Sequence, residues 1–138
     1  RFQRIDQAIA MAAMFMATNL SVQAILALTE SGSTAQWLSR VRSAVPIFAF
    51  SPIAHSRRRM AMFRDVYPVH LESRSMDADQ VIRDALRKLW RTGAVVAGDR
   101  VIVTMGDQTG ESGGTNTLRL IRLDSEGGSE SETKLDLG

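Results

Sequence analysis

Ala24-Ile25-Leu26-Ala27-Leu28-Thr29-Glu30-Ser31-Gly32-Ser33-Thr34-Ala35-Gln36-Trp37-Leu38-Ser39-Arg40-Val41-Arg42 is the stretch on which the fold turns. Its first five residues form a short apolar segment bounded by polar ones, the mark of a buried strand. Trp37, Leu38 and Val41 recur at helical spacing, so a helix is expected from Ala35 onward. Between strand and helix lies a small, hydroxyl-rich loop with one glycine, Thr29–Thr34. Strand, loop and helix start together aim backbone N–H groups outward at a helix N-terminus. An anion is favoured there, because the first N–H groups of a helix lack intrahelical partners and the macrodipole is positive. Taken alone, the loop has a simpler account: Ser31, Ser33 or Thr34 caps the adjoining helix.

On the N-terminal side, Arg1–Leu20 reads as a helix without Gly or Pro. Its middle, Ala8-Ile9-Ala10-Met11-Ala12-Ala13-Met14-Phe15-Met16-Ala17, is apolar all round, whereas a surface helix keeps one polar side. Such a helix is expected to pack on this domain's sheet and also on a neighbour, another domain or a second subunit. On the C-terminal side, Pro46-Ile47-Phe48-Ala49-Phe50 is a second buried strand ended by Ser51-Pro52. Residues 54–64 form a short helix with Met60 and Phe63 inward and Arg57-Arg58-Arg59 mostly solvated; these arginines could hold a phosphate or face an acidic partner, but an exposed helix face accounts for them more simply. Val66–Leu71 is a third strand, which Pro68 assigns to an edge. Asp77–Thr92 has an apolar stripe of Val81, Leu86 and Leu89 flanked by Ile82 and Ala85, with Ser75 or Asp77 as cap and Gly93 at the stop. Arg100–Met105 is a fourth strand, entered through the Gly98-Asp99 turn. After the Gly-rich loop 106–114, residues 116–123 alternate as a half-exposed fifth strand. From Asp124 onward the Ser/Glu/Gly-rich end has too little apolar surface to fold, and is expected to be disordered or a cloning remnant.

Helices alternating with strands give an α/β fold: a three-layer α/β/α sandwich around a mostly parallel five-stranded sheet with an antiparallel last strand. Residues 1–123 form the domain and 124–138 the polar acidic tail. The loops 29–34 and 106–114 are expected at the carboxyl ends of neighbouring strands, outside which open α/β sheets bind ligands where strand order reverses.

Composition limits the chemistry. The chain has 138 residues, 44% apolar and 23% charged, as in one soluble globular domain. It has no cysteine and only His55 and His70, which excludes thiolate metal sites and leaves little for zinc. No apolar run reaches about 18–20 residues and no signal-peptide layout is present, so a cytoplasmic protein without a membrane partner is expected. Residues 124–138 set Asp124, Glu126, Glu130, Glu132 and Asp136 against Lys134, a net of −4; the whole chain is +2, so residues 1–123 carry +6. That balance suits an anionic small ligand or an acidic partner surface, and is too modest and too poor in aromatics for nucleic acid.

No catalytic set is visible. Gly110-Glu111-Ser112-Gly113-Gly114 matches the hydrolase pattern G-x-S-x-G, but that motif needs a helix after its serine, and here a strand comes next. There is no P-loop lysine and no G-x-G-x-x-G opening a helix. Asp77 and Asp79 suit a helix start, and Asp99 suits a turn.

Six segments, in order and register, resemble the C-terminal domain of pyruvate kinase: Ala8-Ile9-Ala10-Met11-Ala12-Ala13, Leu28-Thr29-Glu30-Ser31-Gly32-x-Thr34-Ala35, Pro46-Ile47-Phe48-Ala49, Val66-Tyr67-Pro68-Val69, Gly98-Asp99-x-Val101-Ile102-Val103 and Gly114-Thr115-Asn116-Thr117. Glu30 and the strand after Pro46 look nearest to the bacterial form responsive to sugar monophosphates and AMP. The resemblance implies a fragment that carries no catalytic residues. The family's barrel, which transfers a phosphoryl group from phosphoenolpyruvate to ADP with Mg²⁺ and K⁺, would precede Arg1; no cofactor and no metal is expected in this part.

The resemblance also implies a regulatory and subunit-contact role in a homotetramer, with other subunits and the catalytic domain as partners. Thr29, Ser31, Gly32, Ser33 and Thr34 match the family's phosphate-gripping loop, and Gly110, Glu111, Ser112, Gly113 and Gly114 its mobile effector loop. Two departures narrow the ligand. Ser33 stands where many relatives have Arg or Lys, keeping a hydroxyl donor without the charge. Val81 stands where relatives binding fructose 1,6-bisphosphate place Arg. A charge-assisted bond contributes about 1.5–3 kcal/mol, so a sugar monophosphate or AMP is favoured over a bisphosphate. The alternative is a purely structural assembly domain with a vestigial effector site.

Overall fold

The structure is a computed structural model that describes residues 5–40, 45–71, 77–106, 115–124 and 129–133. Its chain order is α1 (Ile5–Asn19), β1 (Ala24–Leu28), α2 (Ser33–Arg40), β2 (Ile47–Ser51), α3 (Ala54–Met60), β3 (Val66–His70), α4 (Ala78–Thr92), β4 (Arg100–Gly106), β5 (Thr115–Leu123) and β6 (Ser129–Thr133). The strands form one sheet in the order β3-β2-β1-β4-β5-β6. β3, β2, β1 and β4 are parallel, and β4–β5 and β5–β6 are antiparallel. The expected α/β class with its antiparallel turn at β5 is what the chain adopts.

Period-two alternation sorts the side chains into two cores. Ile25 and Ala27 of β1, Ile47 and Ala49 of β2, Ile102 of β4, and Leu118 and Leu120 of β5 pack with α1, α2 and α3. Ala24, Leu26, Phe50, Val101, Val103, Ile121 and Leu123 pack with Ile82, Ala85, Leu86 and Leu89 of α4. Three layers result. The chain steps from β1 to β2 to β3 with α2 and α3 on one face, then returns past β1 to β4 with α4 on the other. Right-handed crossovers require that change of face when the direction of travel reverses. Pro68 sits on the edge strand β3, where its missing N–H costs no ladder bond inside the sheet.

Several expectations need adjustment. The sheet has six strands, not five: Ser129–Thr133, in the segment expected not to fold, pairs with the outer edge of β5. A strand can dock by main-chain hydrogen bonds alone, so poverty in apolar residues did not forbid it. From Thr117 onward β5 is covered on both faces, with Leu118 and Leu120 under α1 and Ile121 and Leu123 towards α4, so it is not half-exposed there; Arg122 is exposed, and Arg119 pairs with Asp79 of α4. α3 ends at Met60, short of the expected residue 64, and Phe63 still packs on the core from the turn beyond it. In α4 the buried stripe is Ile82, Ala85, Leu86 and Leu89, with Val81 only half-buried.

The ends of α4 obey local chemistry. Asp77 is the N-cap, accepting the Asp79 N–H at 3.1 Å, and Gly93 closes the helix at φ 77°. Asp77→Ala is expected to lower stability by about 1 kcal/mol, read as a shift of the urea midpoint with an unchanged denaturant slope.

α1 lies across β4 and β5 and beside α2. Ile9, Ala10, Ala13 and Met14 face the core, while Ile5, Met11 and Phe15 are exposed, Phe15 at 70%. The helix that is apolar all round therefore has one side on the sheet and one side open. Among the described residues, no helix is long and apolar enough to cross a membrane.

Candidate functional site

β1 and β4 lie side by side and parallel, with Ala27 opposite Thr104. Strand order reverses between them: the chain leaves β1 towards β2 and, after β4, continues towards β5. The loop after Leu28 and the end of β4 at Gly106 thus flank the switch-point crevice, the usual ligand position in open α/β sheets.

The 29–34 loop is anchored from below by β2. Thr29 N–H donates to the Phe50 carbonyl at 3.0 Å. The buried Ser51 hydroxyl donates to the Glu30 carbonyl at 3.2 Å and accepts the Ile53 N–H at 3.1 Å. Arg57 donates through Nη1 to the Ser51 carbonyl at 2.9 Å, so this half-buried arginine is held beside the loop rather than solvated like Arg58 and Arg59.

Within the loop the hydroxyls bend the chain on itself. Gly32 N–H donates to Thr29 Oγ1 at 3.0 Å, and Ser33 N–H donates to Ser31 Oγ at 3.3 Å. Gln36 N–H then donates to the Gly32 carbonyl at 3.0 Å, opening α2. Of the three cap candidates, Ser31 accepts a loop amide through its hydroxyl, and Thr34 is buried. Gly32 has φ 90°, a conformation L residues avoid.

Sequence reasoning missed Asp6. This residue of the first turn of α1 is fully buried, and its Oδ2 accepts the Ser33 hydroxyl at 3.0 Å while Oδ1 accepts the Gln7 N–H at 2.9 Å. The hydroxyl donor expected of Ser33 is thus directed at a carboxylate of the same chain. One acid near a helix start is a common sight in any sequence, and nothing local ties Asp6 to a residue 27 positions away.

The structure brings together Thr29, Ser31, Gly32, Ser33 and Thr34 at the start of α2, with Asp6, Ser51 and Arg57 around them. Gly110, Glu111, Ser112, Gly113 and Gly114 lie outside the described residues. The element after them is β5, so the strand that argues against a hydrolase elbow is present. Val81 lies in the first turn of α4, its N–H donating to the Asp77 carbonyl at 3.1 Å. Among the described residues, no three His, Asp or Glu side chains are grouped to hold a metal.

A loop of hydroxyls and amides at a helix start can hold an anion by hydrogen bonds. The chain is 41% identical over 125 residues to pyruvate kinase II of Salmonella typhimurium, covering 90% of this chain and 26% of that protein. It is 39% identical over 123 residues to a pyruvate kinase of Buchnera aphidicola from Schizaphis graminum, covering 88% and 25%. To a pyruvate kinase of Staphylococcus haemolyticus it is 40% identical over 113 residues, covering 82% and 19%. The chain therefore spans a quarter or less of two of these relatives and little more of the third. Residues 7–121 match the family described as pyruvate kinase, alpha/beta domain, and with the switch-point loop and layered sheet in place, the chain belongs to that family.

Proposed function

We propose that this chain is the regulatory domain of a pyruvate kinase, and that the 29–34 loop binds the phosphate of a sugar monophosphate or AMP. The observation that carries the reading is the position of Thr29–Thr34 at the reversal of strand order, where its hydroxyls and the start of α2 converge. Bound phosphate would displace the internal bonds of Thr29 and Ser31, and ordering of the loop would bias subunit packing by differential affinity. Phosphoryl transfer from phosphoenolpyruvate to ADP, with its Mg²⁺ and K⁺, belongs in this reading to a catalytic barrel on the same polypeptide, in the cytoplasm. The open side of α1, with Ile5, Met11 and Phe15, is the surface offered to that barrel or to another subunit of a tetramer.

Titration calorimetry of the chain with ribose 5-phosphate, AMP and fructose 1,6-bisphosphate tests the effector. A monophosphate is expected to bind, with the bisphosphate gaining nothing from its second phosphate, since a missing charge-assisted bond lowers affinity about 10- to 100-fold. Tight bisphosphate binding with indifference to monophosphates would overturn the ranking. The buried carboxylate of Asp6 at the start of α2 favours a second reading, an assembly domain with a vestigial effector site. Self-association without any thermal shift from phosphate ligands is the result that reading requires.

A further inference from the structure

The two edges of the sheet carry opposite charge. At the β3 edge, α3 lies against β2 and β3 with Ser56 and Met60 buried. Its other side exposes His55, Arg58 and Arg59, and the turn after it exposes Met62, at 86%, and Arg64. His55, Arg58, Arg59 and Met62 recur at intervals of three and four, which gathers them on one face. Met62 N–H donates to the Arg59 carbonyl at 3.2 Å, so the turn carries the helical spacing one step further. Among the described residues, no hydrogen bond or ion pair engages the side chains of His55, Arg58, Arg59 or Arg64. From Pro52 to His70 the chain sets Arg57, Arg58, Arg59 and Arg64 against Asp65, a net of +3.

At the opposite edge, β6 is the outermost strand and lies within the acidic stretch 124–138, which nets −4. Arg122, whose register partner on β6 is Glu130, brings that edge to −3. Neighbouring strands lie about 4.8 Å apart, so the five spacings from β3 to β6 amount to about 24 Å. That distance keeps β6 from the α3 cations of its own chain, and leaves them to those of another copy. Strand addition is disfavoured at β3, because Pro68 offers no N–H for a new ladder. Charge is then what holds the contact.

We propose that the exposed face of α3 is a docking surface for the acidic 124–138 stretch of a second copy of this chain, joining copies head to tail through Arg58, Arg59 and Arg64, with Met62 covered at the junction. Such a contact is heterologous: every added copy leaves one edge of each sign free, so association continues with concentration instead of stopping at a dimer. Exposed ion pairs are individually weak, so several act together and added salt dissolves them. The surface is separate from the open side of α1, which lies over β4 and β5.

Sedimentation velocity of the 138-residue chain tests this, over a range of concentrations at low salt and at about 1 M salt, where the Debye length is about 3 Å. The average mass is expected to rise with concentration at low salt and to return to that of the monomer at high salt. Arg58→Glu with Arg59→Glu, and Glu130→Lys with Glu132→Lys, are each expected to abolish the rise, because like charges then face each other. An equimolar mixture of the two variants should restore it, since opposite charges meet again. A synthetic peptide of residues 124–138 gives an answer that does not depend on the folding of those variants. It should dissolve the association of the wild type, and should bind Arg58→Gln with Arg59→Gln about tenfold more weakly, the scale of two exposed ion pairs. A wild type that stays monomeric throughout overturns the proposal, and salt-dependent binding of such a monomer to phosphatidylserine vesicles would give the face to a membrane instead. Association that salt does not weaken would move the contact to the open side of α1. Loss in both variants without recovery in the mixture, or equal peptide binding by the wild type and the glutamine variant, also overturns it.

Discussion

Phe50→Ala is expected to lower the unfolding free energy by about 3–5 kcal/mol, the range for removing a buried aromatic side chain. Phe50 is 2% exposed and packs in the core shared with Leu26 of β1 and with Ile82, Ala85, Leu86 and Leu89 of α4. Interiors are packed too densely to close such a void fully, so the cavity adds to the lost transfer free energy. The damage would not stay in the core. The Phe50 carbonyl accepts the Thr29 N–H, and the next residue, Ser51, holds Glu30, so a shift of β2 reaches the loop directly. Equilibrium denaturation in guanidinium measures the loss. A change below about 1 kcal/mol, less than even a modest core truncation costs, would mean that α4 does not close over this side of the sheet.

Gly32→Ala is the second substitution expected to act strongly. A residue with a Cβ at φ 90° is strained by about 1–3 kcal/mol. The new Cβ would also come within 2.9 Å of Met60 Cγ and 3.2 Å of its Sδ, so that the thioether must turn aside within the core around α3. Gly93 is the internal control. It has φ 77° but open space where its Cβ would stand, so Gly93→Ala carries the conformational strain without the collision. Gly32→Ala should therefore cost more than Gly93→Ala in denaturant, and under the proposed function it should abolish measurable phosphate binding while Gly93→Ala leaves it intact. Equal costs at the two positions would show that Met60 yields freely.

Much of the candidate site is legible in residue order because its parts are local. The hydroxyls of Thr29 and Ser31 accept amides only two or three residues away, and the glycine that follows them serves the turn they make. The parts that escape are those held from a distance. Residue order marks Ser51 as a strand end and Arg57 as a solvated cation, yet the first ties Glu30 and the second ties Ser51. It marks Ser33 as an available donor, and the partner of that donor is Asp6. The misplacement of Val81 in the stripe of α4 has a related cause: helical spacing fixes a face to within one position, and packing against Phe50 and Val103 selects which edge of that face is covered.

By itself, the sequence determined the four helices and first five strands, their alternation and the stop of α4 at Gly93, and left its cap between Ser75 and Asp77, because periodicity and turn residues act through neighbours along the chain. It also determined the family, since six short segments stand in register. The tertiary structure alone decided that β6 extends the sheet, that α1 leaves Phe15 open, and that Asp6 meets Ser33. Side-chain alternation tells a strand that it has two faces without naming what will cover them. A carboxylate and a hydroxyl carry no mark of each other in the chain, and they meet only because the helices that bear them pack on the same side of the sheet.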